Sequence, residues 1–391
     1  MIKVVGAGLA GSEAAWYLAN RGEQVELIEQ KPLRFSPAHK SADFCELVCS
    51  NSLKSDDASG NACGLLKEEL RRLGSLTMEA AAHTRVPAGG ALAVDRDKFS
   101  AYVTQKLRSH PNVHIVVREE TELPEAGIVA TGPLTEGALY AAIGARFGGG
   151  LHFYDATAPV VTAESVDLAH TFTGDRYGRG TGDYINCPLT KEEYGLFVQE
   201  LLAAEKVTLR EFEKREIFEG CMPVEVMASR GKDALRFGTF KPVGLAGEDG
   251  KRPYAVLQLR RENAEGTLLG LVGCQTNLRF GEQRRVFGII PALRNAEYER
   301  YGVMHRNTFL DAPEVLNADF SAKDAPMLFF AGQITGVEGY VESAMSGLLA
   351  AMHFLQKKRG REIVIPEDTS VCGALSRYIA APNKHFQPMN A

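Results

Sequence analysis

The feature that most constrains this chain is a glycine-rich turn at its start. Residues 2–5 (IKVV) form a short β-branched run that leads into GAGLAG at residues 6–11. Residues 12–22 (SEAAWYLANRG) are typical of a helix that ends at a glycine, and residues 23–30 (EQVELIEQ) are predicted to be a second strand. The chain therefore opens as a strand–helix–strand unit with G-x-G-x-x-G between the first strand and the helix.

The residue types of this turn suit the binding of a dinucleotide. Gly6 permits the tight turn, Gly8 lets the backbone approach a pyrophosphate, and Gly11 allows close packing of the helix on the strand. Glu29 follows at close to the offset of about 20 residues at which an acid meets ribose hydroxyls. The other candidate residues, in the turn and at the helix N-terminus that faces the phosphates, are Ala7, Leu9 and Ala10. The motif, strand, helix and acid together predict a dinucleotide site, with NAD and FAD both open.

Two later segments decide between NAD and FAD. Residues 122–133 (ELPEAGIVATGP) are predicted to be a strand ending in Ala-Thr-Gly, which resembles the second signature of two-dinucleotide-binding flavoproteins. Residues 325–355 (APMLFFAGQITGVEGYVESAMSGLLAAMHFL) resemble the C-terminal flavin motif of the glutathione-reductase-like fold, with a strand, a glycine-rich turn and a long helix. The candidate cofactor-binding residues of the two segments are Thr131, Gly132, Gly332, Gln333 and Tyr340. FAD is therefore the predicted cofactor.

Both chain ends would then build one domain. We predict an α/β fold with a glutathione-reductase-like FAD-binding domain from residues 1–180 and 316–391, and an inserted α+β domain from residues 181–315. Within the insert, residues 236–245 (RFGTFKPVGL) and 253–262 (PYAVLQLRRE) are predicted to be strands.

Composition narrows the class of protein further. The chain has 391 residues, of which 45% are hydrophobic and 24% charged, and no apolar run is long enough to span a bilayer. It opens directly on a strand, without the pattern of a secretory signal. Seven cysteines, an odd number spread over a long chain, are not typical of a disulfide framework. We therefore predict a soluble, cytoplasmic protein with reduced thiols and no membrane partner.

The cysteines are first considered as packing residues, because a free cysteine behaves as a small hydrophobe. Cys45 and Cys49 form C-x-x-x-C, which is not the spacing of a zinc or redox pair, so no metal is predicted. Cys187 and Cys274 are assigned to packing. Cys49 in ELVCSNS and Cys221 in EGCMPVE differ, because polar, small or turn-forming residues surround them. On the residues alone, packing is slightly favoured over a reactive role for Cys221.

Charge is unevenly distributed along the chain. The formal net charge is −5, yet residues 251–306 carry ten Lys or Arg against five Asp or Glu. Aromatic residues are interleaved with these arginines, namely Phe280, Phe287, Tyr298 and Tyr301. Such an island could bind a polyanion while the rest of the protein stays soluble. It could also be a solvated face whose arginines pair with acids, and charge alone favours this second interpretation.

Over nearly its whole length the sequence is similar to one enzyme family. The matching stretches are VVGAGLAGSEAAW, ELVCSNSL, RVPAGGALAVDRDKFS, ATGPLT, YDATAPVV, FEGCMPVEVMASRG, LRFGTFKPVGL, YAVLQLR, VGCQTNL, ALRNAEYERYGVMHRNTFL, FFAGQITGVEGYVESAMSG and FQPMNA. They resemble the folate- and FAD-dependent tRNA (uracil-5-)-methyltransferases, the TrmFO family. A related family that modifies tRNA wobble uridines shares the flavin fold, but we do not expect its members to carry EGCMPVE.

The resemblance implies formation of 5-methyluridine at T-loop position 54 of tRNA. The carbon would come from 5,10-methylenetetrahydrofolate through reduced FAD, with NAD(P)H as the reductant. Cys221 would be the nucleophile at uracil C6 and Cys49 the base that removes the C5 proton, with an exchange of these roles left open. The target uridine would have to be turned out of its stack. Tyr340 would stack on folate or flavin, with a role as a core ring as the equally weighted alternative. Arg284 or Arg285 would bind folate's glutamate or an RNA phosphate, with a structural salt bridge as the equally weighted alternative.

Three other functions stay open. The chain could be a flavin oxidoreductase that uses NAD(P)H on the same scaffold, a non-enzymatic RNA-binding flavoprotein, or an enzyme of the same chemistry acting on ribosomal RNA. Family members usually continue beyond PMNA, whereas this sequence stops at Ala391. We expect the flavin site to be independent of such a tail, and RNA contacts made by a tail stay open.

Overall fold

A computed structural model describes residues 1–148, 150–178, 180–207, 222–247 and 250–391. Among the predicted catalytic residues, Cys49 lies within these ranges and Cys221 lies outside them.

The β-strands of the described residues are β1 (Ile2–Val5), β2 (Val25–Glu29), β3 (Ser52–Ser55), β4 (Arg85–Val86), β5 (Ala91–Val94), β6 (Val113–Val117), β7 (Gly127–Val129), β8 (Leu151–Ala156), β9 (Val160–Thr162), β10 (Phe172–Thr173), β11 (Tyr184–Leu189), β12 (Ala255–Arg261), β13 (Leu268–Leu271), β14 (Tyr298–Arg300), β15 (Met304–Phe309), β16 (Ser321–Ala322) and β17 (Ala325–Phe330). The α-helices are α1 (Leu9–Ala19), α2 (Ala62–Leu73), α3 (Leu76–His83), α4 (Arg96–Ser109), α5 (Gly137–Phe147), α6 (Lys191–Ala203), α7 (Val224–Ser229), α8 (Ala234–Phe237), α9 (Phe280–Phe287), α10 (Ala312–Val315), α11 (Tyr340–Lys358) and α12 (Val371–Tyr378). Short 3-10 turns lie at Ala163–Ser165, Leu168–His170, Arg176–Gly178, Pro291–Leu293 and Gln333–Thr335.

A six-stranded sheet in the order β16-β17-β7-β1-β2-β6 frames the cavity described below. Its five strands from β17 to β6 are parallel, and β16 pairs antiparallel at one edge. The inner strands are short apolar runs, and Val4, Leu27 and Ile128 are 0% exposed. Burial of this kind is required of parallel strands whose two faces are both covered.

Two glycines allow close backbone approaches around α1: Gly11 packs on the turn that precedes the helix, and Gly347 of α11 packs on Ala10 of α1. A Cβ on Gly11 would lie 1.8 Å from the Gly6 carbonyl oxygen, and a Cβ on Gly347 would lie 2.0 Å from the Ala10 carbonyl oxygen. Since neither backbone oxygen can move away cheaply, only glycine fits at these two positions. The turn that opens the sequence and the long C-terminal helix are therefore one packing unit.

A second six-stranded sheet has the order β10-β11-β12-β13-β9-β14 and is antiparallel throughout. Its inner face packs against α6 and α9 in a separate core that contains Leu257, Phe197 and Phe287. Helix α6 starts at a capping box, in which Thr190 accepts from the Glu193 amide and Glu193 accepts from the Thr190 amide. The described residues also form two smaller sheets, the pair β15-β8 and the three strands β3-β5-β4.

The two cores draw on different parts of the chain. The buried residues of the first core span residues 2–143 and 309–386, and those of the second span residues 161–293. Strands β9 and β10, which precede residue 180, pair in the second sheet. The domain limits given above stay a prediction.

One predicted strand is wrong. Residues 253–262 do contain β12, but residues 236–245 hold the end of α8 and a series of turns. Gly238 ends the helix, and the Phe240 amide donates to the Leu235 carbonyl rather than to a neighbouring strand. The alternation of apolar and polar residues here comes from turns that bury Phe240 and Leu245 in succession.

Candidate functional site

A cavity of about 410 Å³ opens at the carboxyl ends of the parallel strands. With the exception of Gly11, all the predicted cofactor-binding residues line this cavity, and so does Cys49. The three segments that the sequence singled out therefore meet, although they lie at the start, in the first half and near the end of the chain.

The glycine-rich turn leaves open space in front of α1. Gly6 has φ +97°, where only glycine is unstrained, and a Cβ on it would lie 2.5 Å from the Ala130 carbonyl oxygen. A Cβ on Gly8 would meet nothing within 4 Å, and Gly8, as the N-cap residue, has no side chain to cap the amides that begin the helix. Free helix amides next to an open space form an anion-binding position, so the turn fits a pyrophosphate.

Glu29 is held at the end of β2 by two backbone amides. Its carboxylate accepts from the Ala7 amide at 2.8 Å and from the Lys31 amide at 2.9 Å, and the residue is largely buried against the cavity. These bonds fix the carboxylate beside the glycine turn while each oxygen keeps further acceptor capacity. Glu29 is thus positioned as the acid that a ribose requires.

The other two segments bring further glycines to the same edge. Gly132 has φ +75° and Gly332 has φ +86°, and the Gly332 amide donates to the Ser346 hydroxyl at 2.6 Å. The Thr131 hydroxyl lies 2.7 Å from the Thr135 hydroxyl. Helix α11 begins shortly after the turn that contains Gly332, so a second helix N-terminus lies at the cavity wall.

Cys49 and Tyr340 form a direct contact. The Tyr340 hydroxyl accepts from the Cys49 amide at 2.9 Å and from the Ser50 amide at 3.2 Å, and it lies 3.1 Å from the Cys49 sulfur. Both residues were predicted to have a role, but the sequence does not link them, because they lie 291 positions apart. Tyr340 therefore fixes the thiol as well as lining the cavity.

The surroundings of Cys49 keep its thiol protonated. The pKa of Cys49 is raised to about 12, chiefly by burial and then by the nearby Asp155 carboxylate, while the hydrogen bond with Tyr340 acts to lower it. The electropositive environment that activates a thiol is therefore not what Cys49 meets in this structure.

Two arginines hold the segment around Cys49 in place by hydrogen bonds. Arg96 on α4 donates to the carbonyl oxygens of Leu47 and Val48, both at 3.1 Å, and pairs with Glu262 at 2.7 Å. Arg260 on β12 donates at 2.9 Å to the side chains of the two residues that follow the cysteine, Ser50 and Asn51. Sequence reasoning missed both arginines, because no local pattern distinguishes them from surface arginines.

A buried carboxyl group also belongs to the cavity. Glu338 is 6% exposed, and its carboxylate accepts from the side-chain amide nitrogen of Gln333 at 2.5 Å. The pKa of Glu338 is raised to about 8, chiefly by burial and then by the Asp155 carboxylate, while the hydrogen bond from Gln333 acts to lower it. Sequence reasoning missed this residue too, although it lies in the GVEGY stretch of the C-terminal flavin motif.

His305 completes the polar lining. Its Nε2 atom is buried and has no hydrogen-bond partner among the described residues, while burial lowers the pKa of the ring. The imidazole is therefore neutral near pH 7 and presents a nitrogen for a hydrogen bond.

The predicted nucleophile, Cys221, lies outside the described residues. Shortly after it, the Val224 amide donates at 2.7 Å to the carbonyl oxygen of Gln275, which lines the cavity. Glu225 is buried and accepts from Thr276 at 2.9 Å and from the Asn277 amide at 2.8 Å. The chain three residues beyond position 221 is thus tied to the cavity wall.

The remaining candidates lie elsewhere. Neither Arg284 nor Arg285 lines the cavity. Arg285 pairs with two glutamates, and Arg284 lies 5.7 Å from the ring centre of Tyr301. Cys187 and Cys274 are 0% exposed in the second core, which confirms their assignment to packing.

The described ranges were predicted to hold neither a metal site nor a membrane-spanning segment. No cluster of three or more His, Cys, Asp or Glu residues within them could hold a metal ion. In the same ranges, no helix has the length and apolar character needed to cross a membrane.

Comparison with known proteins gives consistent matches. A family model described as glucose inhibited division protein A matches residues 1–362. The methylenetetrahydrofolate–tRNA-(uracil-5-)-methyltransferase TrmFO of Acetivibrio thermocellus is 56% identical over 398 residues, covering 100% of this chain and 90% of that protein. The protein of the same name from Geotalea uraniireducens is 56% identical over 394 residues, with the same coverage. The solved structure of Aquifex aeolicus GidA has a TM-score of 0.73 at 17% identity, covering 97% of this chain and 67% of that chain, and confirms the predicted fold class.

Proposed function

Since the chain belongs to the TrmFO family of methylenetetrahydrofolate–tRNA-(uracil-5-)-methyltransferases, we propose that it methylates C5 of a uracil in tRNA. The observation that carries this proposal is the shared cavity, in which a nucleotide-binding glycine turn and a cysteine held by a tyrosine face one space. The glycine turn suits the binding of a flavin, and the cysteine held by a tyrosine suits chemistry on a base. A plain flavin oxidoreductase needs the glycine turn only.

The residues present fit FAD. The backbone around Gly8 would receive the pyrophosphate, Glu29 the ribose hydroxyls, and the turn at Gly332 the flavin end of the molecule. Bound FAD, reduced by NAD(P)H, would supply the electrons that convert a methylene group into a methyl group. The protein's own side chains would activate the uracil and move its C5 proton.

The chemistry requires two groups because uracil C5 is a weak nucleophile. A thiolate that adds to C6 makes C5 an enolate carbon, which forms a bond to the one-carbon unit from methylenetetrahydrofolate. A base then removes the C5 proton, and the thiolate leaves C6 with its bonding electrons. Overall, the uracil C5–H, methylenetetrahydrofolate, NAD(P)H and one proton give 5-methyluracil, tetrahydrofolate and NAD(P)⁺.

We assign Cys221 as the thiolate that adds to C6 and Cys49 as the base at C5. Val224 supports the first role, because three residues of chain span at most about 10 Å and its amide is bonded to the cavity-lining Gln275. Cys49 supports the second through its position in the cavity, although its raised pKa means that it must first lose a proton. The Tyr340 hydroxyl at 3.1 Å is the group positioned to carry that proton.

The finer substrate assignment is the T-loop uridine at position 54, turned out of its stack to enter the cavity. NAD(P)H and tRNA are both cytoplasmic partners, so we assign the activity to the cytoplasm. Ribosomal RNA is the alternative target, because RNA choice depends on surface shape and phosphate contacts rather than on the cavity.

The test is a labelling experiment with the FAD-loaded protein. Methylenetetrahydrofolate labelled in its methylene carbon, NADPH and unmodified tRNA should give label at the T-loop uridine. Cys221→Ala and Cys49→Ala should each lower incorporation by at least about 100-fold, as expected when an essential nucleophile or base is removed. Cys187→Ala is the matched control, since this cysteine lies in the second core and should leave incorporation unchanged.

Three outcomes would contradict the proposal. Label in ribosomal RNA but not in tRNA would change the target. NADPH oxidation with no RNA labelled would leave a flavin oxidoreductase. RNA binding without folate dependence, unaffected by either cysteine variant, would leave a non-enzymatic RNA-binding flavoprotein.

A further inference from the structure

Three aromatic rings form a stack on the surface of the second sheet. The ring centres of Phe280 and Tyr301 lie 4.5 Å apart with an interplanar angle of 16°, and those of Tyr301 and Tyr298 lie 5.1 Å apart with an angle of 2°. Phe280 is the first residue of α9, while Tyr298 belongs to β14 at the edge of the sheet. Nearly parallel rings at this spacing make a column rather than the edge-to-face contacts common in protein cores.

The column is closed at one end and open at the other. Tyr298 packs against the second core, and its hydroxyl donates to the Gln283 carbonyl at 3.3 Å. Phe280 is 53% exposed, although one face of its ring is covered by Tyr301. The exposed area therefore includes the outer face of the ring, where a further flat ring could continue the column.

The charge beside the middle ring of the column suits a phosphate backbone. The Arg284 side chain is exposed, and its guanidinium lies 5.7 Å from the ring centre of Tyr301. Among the described residues, Arg284 forms no ion pair, whereas the nearby Arg279 and Arg285 are paired with glutamates. One cation next to the column is thus available to an anion from outside.

The column is linked to the cavity by the chain itself. Gly302 follows Tyr301, and its amide donates at 2.8 Å to Gln283 Oε1. The next residue, Val303, exchanges two hydrogen bonds with Thr157, which lines the cavity: Thr157 N–H donates to Val303 O at 2.8 Å, and Val303 N–H donates to Thr157 Oγ1 at 3.0 Å. An RNA that sends one base into the cavity could therefore have a neighbouring unpaired base at the column.

We propose that the outer face of Phe280, supported by Tyr301 and Tyr298 and flanked by Arg284, is a stacking seat for an unpaired base of the RNA substrate. The inference rests on the proposed function and adds to it a place where the RNA is held. A base suits the seat because every base has a flat π-face and stacking tolerates any sequence. The arginine supplies the contact to phosphate that a neutral aromatic ligand would not need.

The test measures the affinity of the FAD-loaded protein for unmodified tRNA at fixed salt. Phe280→Ala and Phe280→Leu should each weaken binding by roughly 5- to 100-fold, the worth of one stacked base. Phe280→Trp keeps a flat ring and should bind as tightly as the parent or more tightly. The Leu variant separates stacking from simple apolar contact, and Phe237→Ala, which removes another exposed phenylalanine, should leave affinity unchanged.

Two further measurements identify the contact. Arg284→Gln should reduce the slope of log affinity against log salt by about one, because one phosphate contact is lost. A fluorescent 2-aminopurine placed in turn at the unpaired T-loop positions should be quenched on binding at one of them, and that quenching should disappear in Phe280→Leu.

The outcomes separate this inference from the proposed function. If RNA is methylated but Phe280→Ala and Phe280→Leu bind within twofold of the parent, the seat is refuted and the proposed function stands. If Phe237→Ala weakens binding as much as Phe280→Ala, general apolar contact replaces stacking. If no RNA is methylated but these binding differences appear, the seat stands and the proposed chemistry fails.

Discussion

The two six-stranded sheets of this protein differ in where they carry their candidate binding features: one at the ends of its strands, around a cavity, and the other on an exposed lateral edge. The parallel sheet ends in glycine turns and helix N-termini, which together enclose a cavity. The antiparallel sheet places an aromatic column at its edge and exposes it. Parallel strands all point their carboxyl ends the same way, so their loops converge, whereas antiparallel strands send their loops to both ends. The first arrangement builds an enclosed site and the second an open surface.

The thiol of Cys49 belongs to neither sheet alone. Arg96 comes from a helix beside the first sheet, Arg260 from a strand of the second sheet, and Tyr340 from the helix that closes the cavity. The nucleotide end of the site is thus local in origin, while the end that holds Cys49 depends on contacts between the two regions. Four predictions test this contrast.

The largest effect is expected at the glycine turn. Gly11→Val would bring a Cβ within 1.8 Å of the Gly6 carbonyl oxygen, so α1 could no longer pack, and we expect loss of both FAD binding and cooperative unfolding. Gly144→Ala in α5 is the control, because its Cβ would meet nothing within 4 Å. The measurements are bound FAD per protein and the thermal transition. A Gly11→Val protein that keeps both would show that the turn is not a packing constraint.

The next effect concerns the link between the regions. Arg96→Met leaves Glu262 buried without its partner and should lower the free energy of unfolding by about 3–5 kcal/mol. It should also reduce methylation by more than this loss of stability explains, because Leu47 and Val48 lose a donor beside Cys49. Urea unfolding and methylation at a temperature where the variant is folded measure the two effects.

Lys98→Met is the matched control for that link. Lys98 lies on the same helix as Arg96 and pairs with the exposed Glu265, so it also connects the two regions, but at the surface. Its ammonium group, itself half exposed, also lies 3.5 Å from the Asp95 carboxylate at the start of that helix. Since exposed ion pairs contribute little, its stability and activity should equal those of the parent. Equal losses in the two variants would mean that burial is not what gives Arg96 its importance.

A third comparison sets the two cores against each other and tests the predicted domain division. Leu27 and Leu257 are both 0% exposed, one in each core, and either change to alanine should cost about 2–5 kcal/mol. If the cores are separate folding units, Leu27→Ala should release FAD as it unfolds, while Leu257→Ala should produce an early transition with FAD still bound. Loss of FAD in a single common transition for both variants would contradict the division.

The smallest effect is a pH dependence at the cavity. Between pH 4.5, the ordinary pKa of a glutamate, and about 8, the raised pKa of Glu338, the folded protein holds a proton that the unfolded chain has released. The free energy of unfolding should therefore fall as the pH rises through this window. Glu338→Gln should remove that fall in urea unfolding across the range. The exposed Glu362→Gln should keep the parent's slope, and an unchanged slope in Glu338→Gln would refute the raised pKa.

Much of the nucleotide end of the site could be predicted from the sequence, because its determinants are local. Gly6 must adopt a positive φ, Gly11 must lack a side chain, and Glu29 must end the next strand. Each requirement restricts the residue type at one position of the opening strand–helix–strand unit. The segment at residues 236–245 shows the opposite case, where an alternating pattern predicted a strand and the glycines and proline decided for turns.

By itself, then, the sequence determined the parallel-sheet opening, the three glycine turns and the residue types of the nucleotide site, since backbone sterics act between near neighbours. Only the tertiary structure decided which groups surround Cys49. Tyr340 lies 291 positions away, Arg260 lies 210 positions from Ser50, and both reach the thiol segment because helix and sheet packing bring them there. The raised pKa values of Cys49 and Glu338 have the same origin, because burial belongs to the folded chain and not to any stretch of it.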